Sequence, residues 1–449
     1  MKIDEFIKQH SDLAAESCKI EESLFKQFDV KRGLRNADHT GVLVGLTHVG
    51  SVVGYEKRDG KLEAIDGRLI YRGIDINDLV RGFQTEGRPG FDETVFLLLF
   101  GRLPGKEELL RFSEGMAELR ALPENFNRDM IMTMRGKDIM NMLARSILAL
   151  YTLDENADET SVENVLKQSI SLIAKFPTIA VYSYHAMRHL IYYETLTVRY
   201  PDKRLNTAEN FLYMLKGPEY TPLEAELLDL ALVLHAEHGG GNNSTFTTRV
   251  VSSSGTDTYS AIVAAIGSLK GPLHGGANIA VIDMMENIKT NVRNWTNDEE
   301  IASYLRKILN REAYDHSGKI YGFGHAVYTV SDPRAILLKE KAHLLSKEKG
   351  REKELMLYEA IERIGPEIYY EFKSTKDKLI SPNVDFYSGF VYECLQIPRE
   401  LYTPLFAISR ISGWCAHRLE EMISGRRIIR PAYKAVTPDA AYVPMKNRE

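Results

Sequence analysis

Apolar residues recur at three- and four-residue intervals through FDETVFLLLFGRL, DIMNMLARSILALYTL, VENVLKQSISLIAKFPTIAVYSYHAMRHLIYY and PLEAELLDLALVLHAEH, with Pro or Gly at many of the breaks. That spacing turns one face of each helix toward a core, and it predicts a chain that is mainly α. Only VVGYEKRDGKLEAIDGRLIYRG, near the N-terminus, alternates apolar and polar residues instead. A period of two predicts strands, and Asp59-Gly60 and Asp66-Gly67 read as tight turns because these dipeptides tolerate positive φ. The expected architecture is helical with a short N-terminal β-hairpin element.

Glycine and proline punctuate the chain again at Gly271-Pro272, Gly322, Gly324 and Ser381-Pro382. Between these breaks, from roughly 280 to 385, the composition shifts toward charge, as in LLKEKAHLLSKEKGREKEL, where acids and bases alternate along a helix. We expect a large helical domain from residues 1–279 and 386–449, with a smaller helical domain, 280–385, over a cleft. A single continuous bundle is the alternative. The segment 1–40, with EESLFKQFDVKRGLRN, is amphipathic and suits packing on a partner subunit or a regulatory role.

Composition narrows the class. The 449 residues are 44% hydrophobic and 27% charged, and 57 basic against 62 acidic side chains leave a net charge of −5. This is an ordinary globular balance, with no field to recruit nucleic acid or an acidic membrane. Cys18, Cys394 and Cys415 follow no metal or disulfide spacing and read as buried, inert thiols in a reducing compartment. The opening MKIDEFIKQHSDL is too polar for a secretory peptide, and no segment reaches the roughly 20 apolar residues of a membrane span. The expected location is cytoplasmic.

Candidate chemistry gathers around histidines. His235 and His238 lie three apart in LHAEHGGGNNS, where the glycines should stop the helix. The HExxH pattern of zinc hydrolases is absent, so no metal is expected. His235 reads as a helix-end histidine, and His238, beside glycines that admit a ligand, as a substrate contact. His274, in GPLHGGAN, should lie near a helix N-terminus, where the dipole lowers its pKa and a neutral imidazole can donate to an enolate-like oxygen. His325 in GFGHAVYTVSDPR precedes Asp332-Pro333 and a helix with Arg334 in its first turn. Arginine beside the positive end of a dipole implies a partner anion, either a substrate carboxylate or Asp332 itself. Asp385 in NVDFYSG reads as a partly buried general base or a helix cap, and Arg410 and Arg430 could join Arg334 in caging a dicarboxylate.

Taken in order, HAEHGGGNNS, GPLHGGAN, GFGHAVY with DPRA, PNVDFYSG and RIIRPAY, preceded by GRLIYRGIDI, resemble the citrate synthase family over roughly residues 40 to 435. The resemblance implies a two-domain, mostly helical fold with no permanently bound cofactor and a CoA thioester as cosubstrate. It implies that Asp385 deprotonates the methyl group of acetyl-CoA, that His274 stabilises the enol, and that His325 polarises the ketone of oxaloacetate and protonates the alkoxide. It assigns His238, Arg334, Arg410 and Arg430 to the substrate carboxylates and carbonyl, Ser244 to orienting His274, and Phe406 to a wall of the pocket. Gly322, Phe323, Gly324 and Ala326 resemble the loop that recognises the CoA adenine. A homodimer is implied, in which Arg430 reaches the neighbouring subunit's site.

One departure concerns Thr329, where many members carry a cation for a CoA phosphate; either another cation such as Lys339 or Lys341 compensates, or CoA binds more weakly. The same scaffold acting on propionyl-CoA to give 2-methylcitrate is the nearest alternative. An ATP-driven lyase would need a phosphate loop that is absent, and a non-catalytic CoA-binding protein would be expected to have lost Asp385 or a histidine.

Overall fold

The computed structural model describes residues 3–36, 40–59, 61–374 and 379–448. They form two compact units, Met1–Leu46 and Thr47–Glu449. The first carries the helices Ile3–Ser17 and Glu22–Gln27, neither of which buries a side chain within the chain. Cys18 follows the first helix and is exposed, correcting the expectation of a buried thiol, whereas Cys394 and Cys415 are buried. Among the described residues there are seventeen α-helices and one small antiparallel sheet, so the chain is mainly α as its periodicity predicts.

The sheet consists of β1 (Gly50–Arg58), β2 (Lys61–Tyr71) and β3 (Ile74–Asp75), in that order. Arg58 pairs with Lys61, so the chain reverses at the first predicted turn, where Asp59 has a φ of 50°. Its partner Gly60 lies outside the described residues. Asp66-Gly67 is not a turn but part of β2. The glycine serves a different need there: a Cβ on Gly67 would collide with the Ser331 carbonyl oxygen and the Tyr328 ring. Ser331 Oγ accepts from Gly67 N at 3.2 Å and donates to Asp66 Oδ1 at 2.8 Å, fastening the strand to the segment that follows His325.

The four apolar-periodic stretches fold as Phe91–Phe100, Ile139–Tyr151, Val162–Tyr192 and Pro222–His235. Their starts are chemically marked. Asp138 and Ser161 accept from backbone N–H groups at their helix N-termini, and Thr221 with Glu224 forms a capping box ahead of Pro222. The helix Tyr402–Glu420 is buried along nearly its whole length, from Tyr402 to Leu419, and packs against several of these helices. Such a helix is expected from YTPLFAISRISGWCAHRLE, whose small and apolar residues cover every face. The charge-rich stretch folds as Asp298–Leu309, Pro333–Glu348 and Glu352–Lys373. No helix among the described residues is long and apolar enough to cross a membrane.

Candidate active site

The Pro222–His235 helix stops at His235, before the glycines expected to end it. His238 therefore sits in a tight turn, and Tyr71 at the end of β2 braces that turn, with its Oη 3.0 Å from Val233 O and 3.1 Å from Glu237 O. Its ring centroid is 5.0 Å from that of His325 and 5.5 Å from that of Tyr328, both edge-on. Burial first, then the charges of Arg334 and His325, holds the His238 pKa well below the usual histidine range. His238 is thus neutral, and its buried Nε2 has no hydrogen-bond partner within the protein.

His325 accepts two backbone hydrogen bonds at Nδ1, from Val327 N and Tyr328 N, each 3.0 Å. An acceptor at Nδ1 leaves Nε2 as the protonated nitrogen, a donor for an incoming oxygen. Seven residues on, Asp332 caps the Pro333–Glu348 helix and grips Arg334 from two sides, Nε at 3.0 Å and Nη2 at 2.8 Å. The anion beside Arg334 is therefore Asp332, and the pair is buried rather than on the surface.

Arg410 is the most telling side chain. It lies in the middle of the Tyr402–Glu420 helix with no exposed surface, donates from Nε to His235 O at 2.6 Å, and stacks 4.5 Å from the Phe406 ring centroid. Nη1 and Nη2 are buried and make no hydrogen bond within the protein. Burial lowers its pKa to about 10, which leaves it charged at neutral pH. An unmatched buried guanidinium costs several kcal/mol, roughly 3–5 by analogy with a broken buried ion pair, so this pocket is built for an anion.

His274 and Asp385 line the same small cavity, together with His235, Asn278, Tyr392, Tyr402 and Phe406. The helix that follows His274, Ala277–Asn291, is capped at Gly276, so the imidazole lies just outside it. Its pKa falls to about 4 through burial first and the Arg410 charge second, rather than through the helix dipole our sequence argument invoked. His274 Nε2 is 3.1 Å from Ser244 Oγ, which also receives Trp414 Nε1–H at 3.1 Å and lies 2.9 Å from Asn242 Oδ1. The Ser244 hydroxyl donates its one proton to Asn242 Oδ1, and Ser244 thereby fixes the position of the His274 ring through the contact at Nε2.

Asp385 is the second residue of the Val384–Cys394 helix, and Asn383, not Asp385, is the cap. Burial raises its pKa to about 6, against the pull of Arg334. A neutral imidazole and a carboxylate of raised basicity on one cavity can remove a proton from carbon and hold the enol that results. Just ahead of this helix, Gly322 O accepts from Asn383 N at 2.8 Å and Gly324 O from Asn383 Nδ2 at 3.1 Å; Phe323 bridges Pro382, and the Gly322–Ala326 loop is thereby laid beside Asp385.

The structure leaves some expected residues outside this cluster. Arg430 is exposed, in the coil beyond the long helix. Lys339 pairs with Glu362 at 2.7 Å and Lys341 with Glu226 at 2.6 Å, and Thr329 is buried. Among the described residues no cluster of three or more metal-ligating side chains exists. Other residues join the site without having been expected. His235, read as a helix-end histidine, lines the cavity. Glu237, fully buried, accepts from Gly239 N at 2.5 Å and from His417 Nε2 at 2.8 Å, while Arg249 donates to His417 Nδ1 at 2.7 Å. Burial alone would raise the Glu237 pKa, but His417 and Arg410 override it and keep the carboxylate charged. The available signal was an acid locked between two histidines at the end of an apolar helix, where water cannot solvate it.

Comparison with known proteins agrees with this geometry. The family model for citrate synthase, C-terminal domain, matches residues 38–432. Citrate synthase 2 of Bacillus subtilis is 38% identical over 386 residues, covering 86% of this chain and 94% of the relative. Citrate synthase of Haloferax volcanii is 38% identical, covering 90% and 94%. Among solved structures, citrate synthase from Pyrobaculum aerophilum superposes with a TM-score of 0.73 at 31% identity, covering 92% of this chain and 95% of that one. The Thermoplasma acidophilum citrate synthase, in ternary complex with carboxymethyl coenzyme A and oxaloacetate, gives a TM-score of 0.76 at 26% identity, covering 93% and 99%.

Proposed function

The chain belongs to the citrate synthase family, and from that premise we propose that it condenses acetyl-CoA with oxaloacetate and hydrolyses the thioester to citrate and free CoA. Asp385 takes a proton from the acetyl methyl group. His274, neutral, holds the developing enolate oxygen, with Ser244 orienting its ring. His325 donates from Nε2 to the oxaloacetate ketone, which the enol carbon then attacks, and its proton passes to the new alkoxide. Arg410, Arg334 and His238 hold the dicarboxylate. Phe406, stacked on Arg410, walls the same pocket, and Gly322, Phe323, Gly324 and Ala326 take the CoA.

A thioester methyl is a weak acid, so the enol must form where water is excluded. We assign that role to residues 280–385, closing as a small domain over a large domain of 1–279 and 386–449. Arg430 acts in the site of a second subunit, which makes the homodimer the competent form.

One observation carries the reading: Arg410 Nη1 and Nη2 and His238 Nε2 are buried donor or acceptor groups with no partner inside the protein. Arg410→Gln tests it. The Michaelis constant for oxaloacetate is expected to rise at least about 30-fold, since losing one member of a buried charged contact costs about 2–5 kcal/mol. An unchanged constant in a folded variant would refute the carboxylate role. Thiol release with acetyl-CoA against propionyl-CoA decides the acyl substrate; one methylene is worth about 1–3 kcal/mol in such a pocket.

A further inference from the structure

The cavity beside Asp385 has one wall that the condensation chemistry does not use. We infer that Tyr392, backed by Tyr402, is the stop that limits the acyl chain, making this pocket selective for a two-carbon acyl group. The inference rests on the reading above, because it takes the methyl group to lie between Asp385 and His274.

Tyr392 stands seven residues after Asp385 on the Val384–Cys394 helix, two turns further along the same face. A chain extending past the reacting carbon along that face meets its ring. Tyr392 and Tyr402 are 4% and 2% exposed, and their rings, from different helices, lie 5.2 Å apart. Two packed aromatics from separate helices make a floor that cannot swing aside without opening the core.

Two neighbouring boundaries are held in place. Thr403 Oγ1 donates to Gly275 O at 3.0 Å, and a Cβ on Gly275 would collide with the Leu269 carbonyl oxygen. The His274 side is thus clamped. On the Asp385 helix, a Cβ on Gly389 would meet the Ile282 and Asn278 side chains, and Asn278 is held in turn by Ser388. The tyrosine side chains form the end of the cavity that lies along the Asp385 helix, while Phe406 and His235 wall the part toward Arg410.

The test compares kcat/KM for acetyl-, propionyl- and butyryl-CoA with saturating oxaloacetate in the wild type, Tyr392→Leu, Tyr392→Phe and Tyr402→Leu. The wild type is expected to prefer acetyl-CoA. Tyr392→Leu should raise the propionyl-to-acetyl ratio at least about tenfold, the effect of accommodating one methylene, while Tyr392→Phe, which keeps the ring, holds the wild-type ratio. Should Tyr392→Leu fail to fold, Tyr402→Leu opens the same floor from the other helix and must move the ratio in the same direction. A ratio within twofold of wild type in a folded leucine variant that still releases CoA from acetyl-CoA overturns the stop and leaves the condensation reading standing. A wild type that releases no CoA from any of the three overturns both.

Discussion

Asp385 and His274 share a cavity, yet burial drives their protonation in opposite useful directions, the acid up to about 6 and the imidazole down to about 4. Each is then in its working form at neutral pH, carboxylate and neutral ring. Because Asp385 titrates higher, it sets the acid limb: kcat is expected to fall below about pH 6 with a single ionisation, and a limb near pH 4 would instead point to His274. The raised value also means that the folded state disfavours the charged carboxylate. Its destabilisation is absent below the unfolded value of about 4 and complete above about 6, so Asp385→Asn should abolish turnover yet stabilise the fold by on the order of 2 kcal/mol at about pH 8. Thermal melts at about pH 8 and 3.5 check this, and a gain that persists at the lower pH would refute the linkage. Ser244→Ala should lower kcat about 10- to 100-fold by releasing the His274 ring from its contact at Nε2, leaving the oxaloacetate Michaelis constant nearly unchanged. The reacting residues were legible in sequence because each sits in a short glycine- or proline-bounded block, whereas Glu237 and His417 were not, since their pairing joins positions 180 residues apart.

At the scale of elements, the site is a junction between one buried helix and several chain breaks. Tyr402–Glu420 supplies Arg410, Trp414 and His417 at intervals of three and four residues, so a single helix face reaches the carboxylate pocket, Ser244 and Glu237. β2 supplies Tyr71 to the His238 turn and Gly67 to the segment after His325. Periodicity predicted β2 and the four amphipathic helices, because their spacing is a local property, but it did not single out Tyr402–Glu420, which is buried on every face. It misread Gly67, because a glycine required for close approach and one required for a turn look alike until the neighbouring chain is known. That difference can be measured. Gly67→Ala places a methyl group against a backbone oxygen that cannot rotate away, and should cost about 1–3 kcal/mol while weakening oxaloacetate binding through His325. Gly82→Ala, at an exposed position of the Ile76–Thr85 helix with open space around it, should stabilise by up to about 1 kcal/mol. Equal melting temperatures for the two variants would remove the case for a close-approach glycine.

At the scale of the whole molecule, two of the three expected arginines meet near Asp385 and the third does not. Arg334 and Arg410 are buried and both bear on the Asp385 charge, while Arg430 is exposed beyond the last long helix. No sequence pattern distinguishes an arginine that serves its own site from one that serves a neighbour's, because both need only be positive and within reach of an anion. Subunit mixing separates them. In a two-fold dimer that shares its sites, Asp385→Asn and Arg430→Ala chains, each nearly inactive alone, form mixed dimers in which one site regains both wild-type groups. Random exchange puts half of the subunit pairs in that form with one active site of two, so about a quarter of wild-type turnover should return. If Arg430 served its own chain, every site in the mixture would still lack one group and no activity would appear. Co-expression with two affinity tags and assay of the doubly tagged fraction gives the readout, and in that fraction the expected recovery is about half of wild type.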